Sequence, residues 1–163
     1  IGEYQAAAQV LLQSRHNQWQ QFLPLASSLY RMGLLQPVSK LIVEVLSHLE
    51  SASQPSLQVS ELRNILGDIY WITGEINQAI ECQQDAIATT QHHLATTKRT
   101  ETLNHYFLQM LNIASRMSLG LYAMDIWELE QAKTAFSTVI SLGQDTPHQA
   151  WANKATVALA LTI

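Results

Sequence analysis

Among the residues whose type invites chemistry, the six histidines come first. His92 and His93 are adjacent, so on a helix they point about 100° apart and cannot hold one ion without another element. Glu101 and His105 stand one helical turn apart and offer two donors, but no HExxH, no CxxC and no second carboxylate cluster completes a metal site. Cys82 has no neighbouring histidine or arginine to activate it and is expected to act as a small core residue. No GxSxG, Walker loop or GxGxxG is present, and Gly67 and Gly74 fall within a helical hairpin that cannot wrap a phosphate. Asp68, Glu75, Glu81 and Asp85 form a modest acidic face, which a solvated helix surface explains. The expectation is a non-enzyme that needs neither cofactor nor metal.

The chain has 163 residues, of which 47% are hydrophobic and only 13% charged. An ordinary domain carries roughly a quarter charged residues, so this one is charge-poor yet apolar enough to fold. Its net charge of -4 argues against nucleic acid as a partner, because displacing counterions from phosphates takes a surplus of lysine and arginine. No apolar run approaches the ~18 residues of a membrane span; Leu41 to Leu49 is interrupted by Glu44, Ser47 and His48. A single cysteine excludes an internal disulfide and suits a reducing compartment, so a cytoplasmic location is expected. The chain starts at Ile1-Gly2-Glu3 and stops inside the periodic run Trp151, Ala155, Ala158, Leu159, which reads as a piece of a larger protein.

The elements that would position any site are helical throughout. Val38, Leu41, Ile42, Val45, Leu46 and Leu49 recur at the three-four spacing of one apolar helix stripe. Leu62, Ile65, Leu66, Ile69 and Ile72 repeat it, as do Ile76, Ala79, Ile80, Ile87 and Leu94. From Leu103 through Phe107, Met110, Ala114, Met117 and Leu121 to Met124 the stripe has no breaker until Gly120, so Lys98 to Met124 should be one unusually long helix. No alternation of period two is sustained, so no strands are expected. Residues 51–56 form the clearest loop. Gly143 reads as a helix C-terminal glycine, and Thr146-Pro147 as the cap and first turn of the last helix. Pro37 suits a first turn, whereas Pro24 must kink its helix or mark its start.

A repeat underlies these helices. Gly2, Gly33, Gly74 and Trp127 each begin a short turn followed, at a fixed distance, by Ala7, Val38, Ala79 and Ala132. Further on stand Leu11, Ile42, Gln83 and Phe136, then Ser14, Val45, Ala86 and Val139. Gln83 is the polar exception at its position, and Cys82 beside it is expected to fill the contact. Each unit would be a tight turn and a helix whose small residue lets the preceding helix approach.

With Leu66-Gly67, Tyr70, Gly74, Ala79 and Ala86, the chain resembles the tetratricopeptide repeat family; Leu119-Gly120, Ala132 and Phe136 match it partly, and Leu25-Ala26, Leu29 and Gly33 loosely. The turns are unevenly spaced, and the later intervals exceed the family's usual repeat of about 34 residues; the middle one is like the longer repeats of kinesin light chains. The resemblance implies an all-α, right-handed solenoid of about eight helices in antiparallel hairpins. Its divisions would be a half-repeat over 1–15, repeats over 16–52 and 56–97, an extended repeat over 98–143 and a half-repeat over 146–163.

It also implies a groove lined by the first helix of each hairpin. Carried over by position, that groove would show Ser27, Tyr30, Arg31, Asn64, Asp68, Trp71, Met117, Leu121 and Met124, while Tyr70 and Phe136 would pack the core. The lysine and asparagine with which chaperone-binding members grip a C-terminal carboxylate are replaced by Leu23 and Ser27, leaving Asn64 alone, so this groove should not be a carboxylate clamp. The expected function is protein–protein interaction: a scaffold module holding an amphipathic helix or extended peptide of a partner inside a regulatory or signalling protein. The alternative is a structural spacer or oligomerisation segment that self-associates through exposed terminal helix faces. Neither nucleic acid nor membrane is an expected partner.

Overall fold

The computed structural model describes residues 19–51, 57–96 and 102–162. These hold seven α-helices and no strand: α1 (Trp19–Arg31), α2 (Leu35–Ser51), α3 (Leu57–Thr73), α4 (Ile76–Thr96), α5 (Thr102–Asp125), α6 (Leu129–Gly143) and α7 (Gln149–Ala160). The helix expected over Gly2 to Ser14 lies outside the described residues. The long helix is continuous from Thr102, through Leu103 and Met117, to Asp125; its expected first residues, 98–101, are not described. Pro24 sits inside α1, where its missing N–H leaves one carbonyl of the preceding turn without its helical donor. Pro37 lies in the first turn of α2, as its spacing predicts.

Three turns share one geometry. Gly33 N–H donates to the Tyr30 carbonyl (2.9 Å) and Leu34 N–H to that of Leu29 (3.1 Å). Gly74 to Trp71 (3.1 Å) and Glu75 to Tyr70 (2.8 Å) repeat the pair, as do Trp127 to Met124 (3.0 Å) and Glu128 to Ala123 (2.8 Å). This is the Schellman end of a helix, which needs a left-handed residue: φ is +75° at Gly33, +85° at Gly74 and +65° at Trp127. Trp127 therefore takes a glycine's conformation with a bulky side chain, and that side chain is 83% exposed.

Each helix packs against the next, and α1, α3, α5 and α7 also touch in succession. Among the described residues α2, α4 and α6 make no such contact with one another. The odd-numbered helices thus form one continuous row of contacts, and each even-numbered helix meets only its odd-numbered neighbours. Close approach within hairpins comes from matched pairs. A Cβ on Gly67 would lie 2.7 Å from Gln83 Nε2, and one on Gly120 would lie 2.4 Å from Phe136 Cε1. Ala26 and Ile42, at the same spacing, are both buried in one cluster. That cluster spans α1 to α3, with Val38, Val45, Leu62 and Ile69; a second, with Ile113, Ala132, Phe136, Val139 and Ala155, spans α5 to α7.

Gly143 ends α6, as expected, and the left-handed residue of the α6–α7 corner is Asp145 at φ +57°. Gly143 is instead required by proximity, since a Cβ there would press on the His148 carbonyl at 3.0 Å and Ala152 Cβ at 3.2 Å. Thr146 and Pro147 do not open the last helix as expected: α7 starts at Gln149 with His148 as its N-cap residue, and the Thr146 hydroxyl instead braces the corner, donating to the Gly143 carbonyl (2.7 Å) and accepting from His148 N–H (3.1 Å). His148 is 2% exposed, its ring stacks on Tyr106 at 4.6 Å, and its Nε2 has no hydrogen-bond partner.

Two predictions follow from these corners. Trp127→Gly relieves a left-handed strain of about 1–2 kcal/mol while losing almost no packing, so urea melts should show a gain of up to about 1 kcal/mol after the added chain entropy of glycine. Burial holds the His148 pKa below its ordinary 6.5. The unfolded chain then binds the proton more readily, so the contribution of His148 is complete above pH 6.5 and is lost as pH falls through the depressed folded value. His148→Phe keeps the stack without the titration, so wild type should lose stability relative to this variant when melts at pH 8 and pH 5 are compared.

Candidate functional site

The polar exception in the repeat is the centre of the site. Gln83 of α4 occupies the position of Ile42 and Phe136, faces the Cβ-less surface of Gly67, and is 0% exposed. Its Oε1 accepts from Asn64 Nδ2 (2.8 Å). Its Nε2 donates to the Asn64 carbonyl (3.1 Å), to Tyr122 Oη (3.1 Å) and to Asp68 Oδ1 (3.3 Å), two N–H bonds shared by three acceptors. Cys82 does not fill this contact: it is half-buried against the first cluster.

Asp68 is the common acceptor. Tyr122 Oη donates to its Oδ1 at 2.5 Å and Ser118 Oγ at 3.2 Å. Burial pushes the Asp68 pKa above its ordinary value more strongly than the hydrogen bonds from Tyr122 and Ser118 lower it. The Tyr122 phenol is driven far up, first by burial and then by the adjacent Asp68 charge. Tyr30 of α1 is raised in the same order, by burial and by Asp68, so the carboxylate is felt by tyrosines on both neighbouring odd-numbered helices.

These contacts make a seam between α3 and α5. Asn64 Nδ2 reaches Ser115 Oγ (3.2 Å), Asp68 reaches Ser118 and Tyr122, and the Trp71 ring stacks on Tyr122 at 4.4 Å and 9°. Stacking at that separation adds about 0.5–1.5 kcal/mol beyond the buried area.

The residues expected to line a groove therefore divide. Asn64, Asp68 and Trp71 are engaged by α5. Met117 is 8% exposed within the second cluster and Met124 packs against that cluster. Tyr30 packs partly on the first cluster, and Ser27 is half-buried. Arg31 is exposed, and Leu121 is 43% exposed. Tyr70 packs partly against the first cluster and Phe136 is fully buried in the second, as expected of core residues. Asp68 leaves the acidic face it was expected to join; Asp85 stays on the surface, 3.6 Å from Arg63.

Periodicity does not single out Ser115, Ser118 or Tyr122. Their partners are 51, 50 and 54 residues away, and only the polar break at Gln83 marks the seam in the sequence. Cys82 has a thiol pushed up to about 11, chiefly by burial and then by Asp85, so it is protonated at neutral pH. Among the described residues no group of three histidine, cysteine or carboxylate side chains is placed to hold a metal ion, and no helix is long and apolar enough to cross a membrane. Neither family models, nor curated proteins, nor solved structures give a match to this chain.

Substitution of Asp68 separates charge from hydrogen bonding. Asp68→Ala strands the buried hydroxyl of Tyr122 and should lower stability by about 1–3 kcal/mol. Asp68→Asn keeps the acceptor without the charge. The raised folded pKa means Asp68 contributes most below its ordinary 3.8 and loses that contribution as pH rises through the folded value. Asn should therefore match or exceed Asp in melts at pH 7, with its advantage shrinking toward pH 3.8.

Proposed function

We propose that this chain is a tetratricopeptide-like, right-handed solenoid whose odd-numbered helices line a concave groove. In this reading it is a non-enzymatic module that binds a peptide or helix of a partner protein, as part of a larger regulatory or signalling protein. The observation that carries the reading is the row Tyr30, Trp71 and Met124: one residue from α1, α3 and α5, each three places before the same turn, none fully buried. A continuous odd-numbered row, with each even-numbered helix meeting only its odd-numbered neighbours, is the packing that curves such an array, and its inner face supplies the long surface these repeats use. Arg31 and Leu121 project beside that row as exposed cationic and apolar contacts.

Selection of peptides from a displayed library tests it. Binders should be recovered, and Arg31→Glu and Leu121→Asp should each weaken them tenfold or more while leaving the melt within about 0.5 kcal/mol, as exposed positions allow. Val43→Asp, on exposed α2 surface, should leave binding unchanged. Failure to enrich any peptide, or peptides indifferent to both groove variants, overturns the reading.

A further inference from the structure

Between α4 and α6 lies a cleft of about 410 Å³ whose floor is α5. Arg116, Leu119, Ala123 and Ile126 form the floor, Ile80 and Gln84 one wall, and Gln131, Thr134, Ala135 and Thr138 the other. Arg116 is the half-buried charge in it. Arg63 and Lys133 each have a carboxylate, Asp85 and Glu130; Arg116 has no ion pair among the described residues. Its Nε donates instead to the neutral Asn112 Oδ1 at 3.0 Å.

That amide is itself locked. Asn112 is 3% exposed, and its Nδ2 donates to Thr90 Oγ1 (2.8 Å) and the Ile87 carbonyl (3.3 Å). One edge of the guanidinium is thus held in a fixed direction by a braced acceptor, leaving its terminal Nη groups for another partner. A half-buried cation without a counter-charge bears a desolvation cost that an anion would offset, and a planar guanidinium matches a carboxylate in two parallel hydrogen bonds. Thr134 and Thr138 direct their hydroxyl protons to carbonyls of their own helix, so they do not compete for it as donors. Glu130, which also lines the cleft, is exposed and is ion-paired with Lys133 at 2.7 Å.

We infer that this cleft is a binding site for a small apolar monocarboxylate, its carboxylate on Arg116 and its hydrocarbon body against Ile80, Leu119, Ala123 and Ala135. The volume lies in the range of small-ligand pockets, which combine apolar walls with few polar groups. The cleft lies between the even-numbered helices, so it stands or falls independently of the peptide groove.

Octanoate is the probe and 1-octanol its uncharged control, both followed by methyl and backbone NMR shifts of the intact chain. Octanoate should move Ile80, Leu119 and Ala135 saturably, and 1-octanol should bind at least tenfold more weakly. Arg116→Gln should weaken octanoate tenfold or more and leave 1-octanol unchanged. Should Arg116→Gln fail to fold, Ala135→Leu fills the cleft from α6 with Arg116 intact and should abolish octanoate binding. Equal binding of acid and alcohol, shifts confined to other helices, or full octanoate affinity in a folded variant overturns the assignment.

Discussion

Three hairpins among the described residues close because a residue with little or no side chain on the first helix admits a large side chain from the second. Ala26 with Ile42, Gly67 with Gln83 and Gly120 with Phe136 occupy that relation at one spacing. The contacts at Gly67 and Gly120 leave no room for a Cβ, so the pairs fix how near the helices come and in what register. The turns then have one way to close, and Gly33, Gly74 and Trp127 close it with the same two hydrogen bonds. Everything at the inner seam depends on that register, since a small rotation of α4 would take Gln83 off Gly67.

Two of the three pairs are apolar and belong to the two apolar clusters; the middle one is not. Gln83 places an amide between the clusters, and an amide so buried must be fully engaged. Asn64, Asp68 and Tyr122 meet that demand from α3 and α5. The polar layer is consequently directional where apolar contact would be permissive, and it fixes α3 against α5 as well as α4 against both. Further along α4 the pattern recurs at smaller scale: Thr90 is fully buried and is held with Asn112.

Much of this architecture is legible in the sequence because it is local. Three-four periodicity gives the helices, and the recurrence of Gly33, Gly74 and Trp127 gives the turns, including an aromatic where glycine is expected. What escapes is what depends on partners far along the chain. Asp68 reads as one more surface acid because nothing near it announces Ser118 or Tyr122. Met117 follows the spacing of a groove residue, yet α5 is covered on more sides than the first helix of an isolated hairpin and buries it. Gly143 is legible as the end of its helix, but the space it yields to the chain folding back at His148 is not, because that neighbour is set by the corner as a whole. Arg116 carries no signal in sequence at all, since its isolation from carboxylates is a property of three helices together.

On the proposed reading, the fate of Asp68 also constrains what the row of Tyr30 and Trp71 can recognise. The Asp68 carboxylate accepts from Tyr122, Ser118 and Gln83 on its Oδ1, so that oxygen is committed to the contact of α3 with α4 and α5. The field of the carboxylate falls on Tyr30 and Tyr122, where it strengthens the hold of both phenols on their protons. Asp68 is thus tied into the α3–α5 seam, and Arg31, next to Tyr30 in the chain, is exposed. A chain of net charge -4 therefore presents, at this row, aromatic and apolar surface beside a cation. On the proposed reading, that combination favours a partner segment bearing an apolar side chain next to an acidic one, because desolvated aromatic and arginine anchors are where interface energy concentrates.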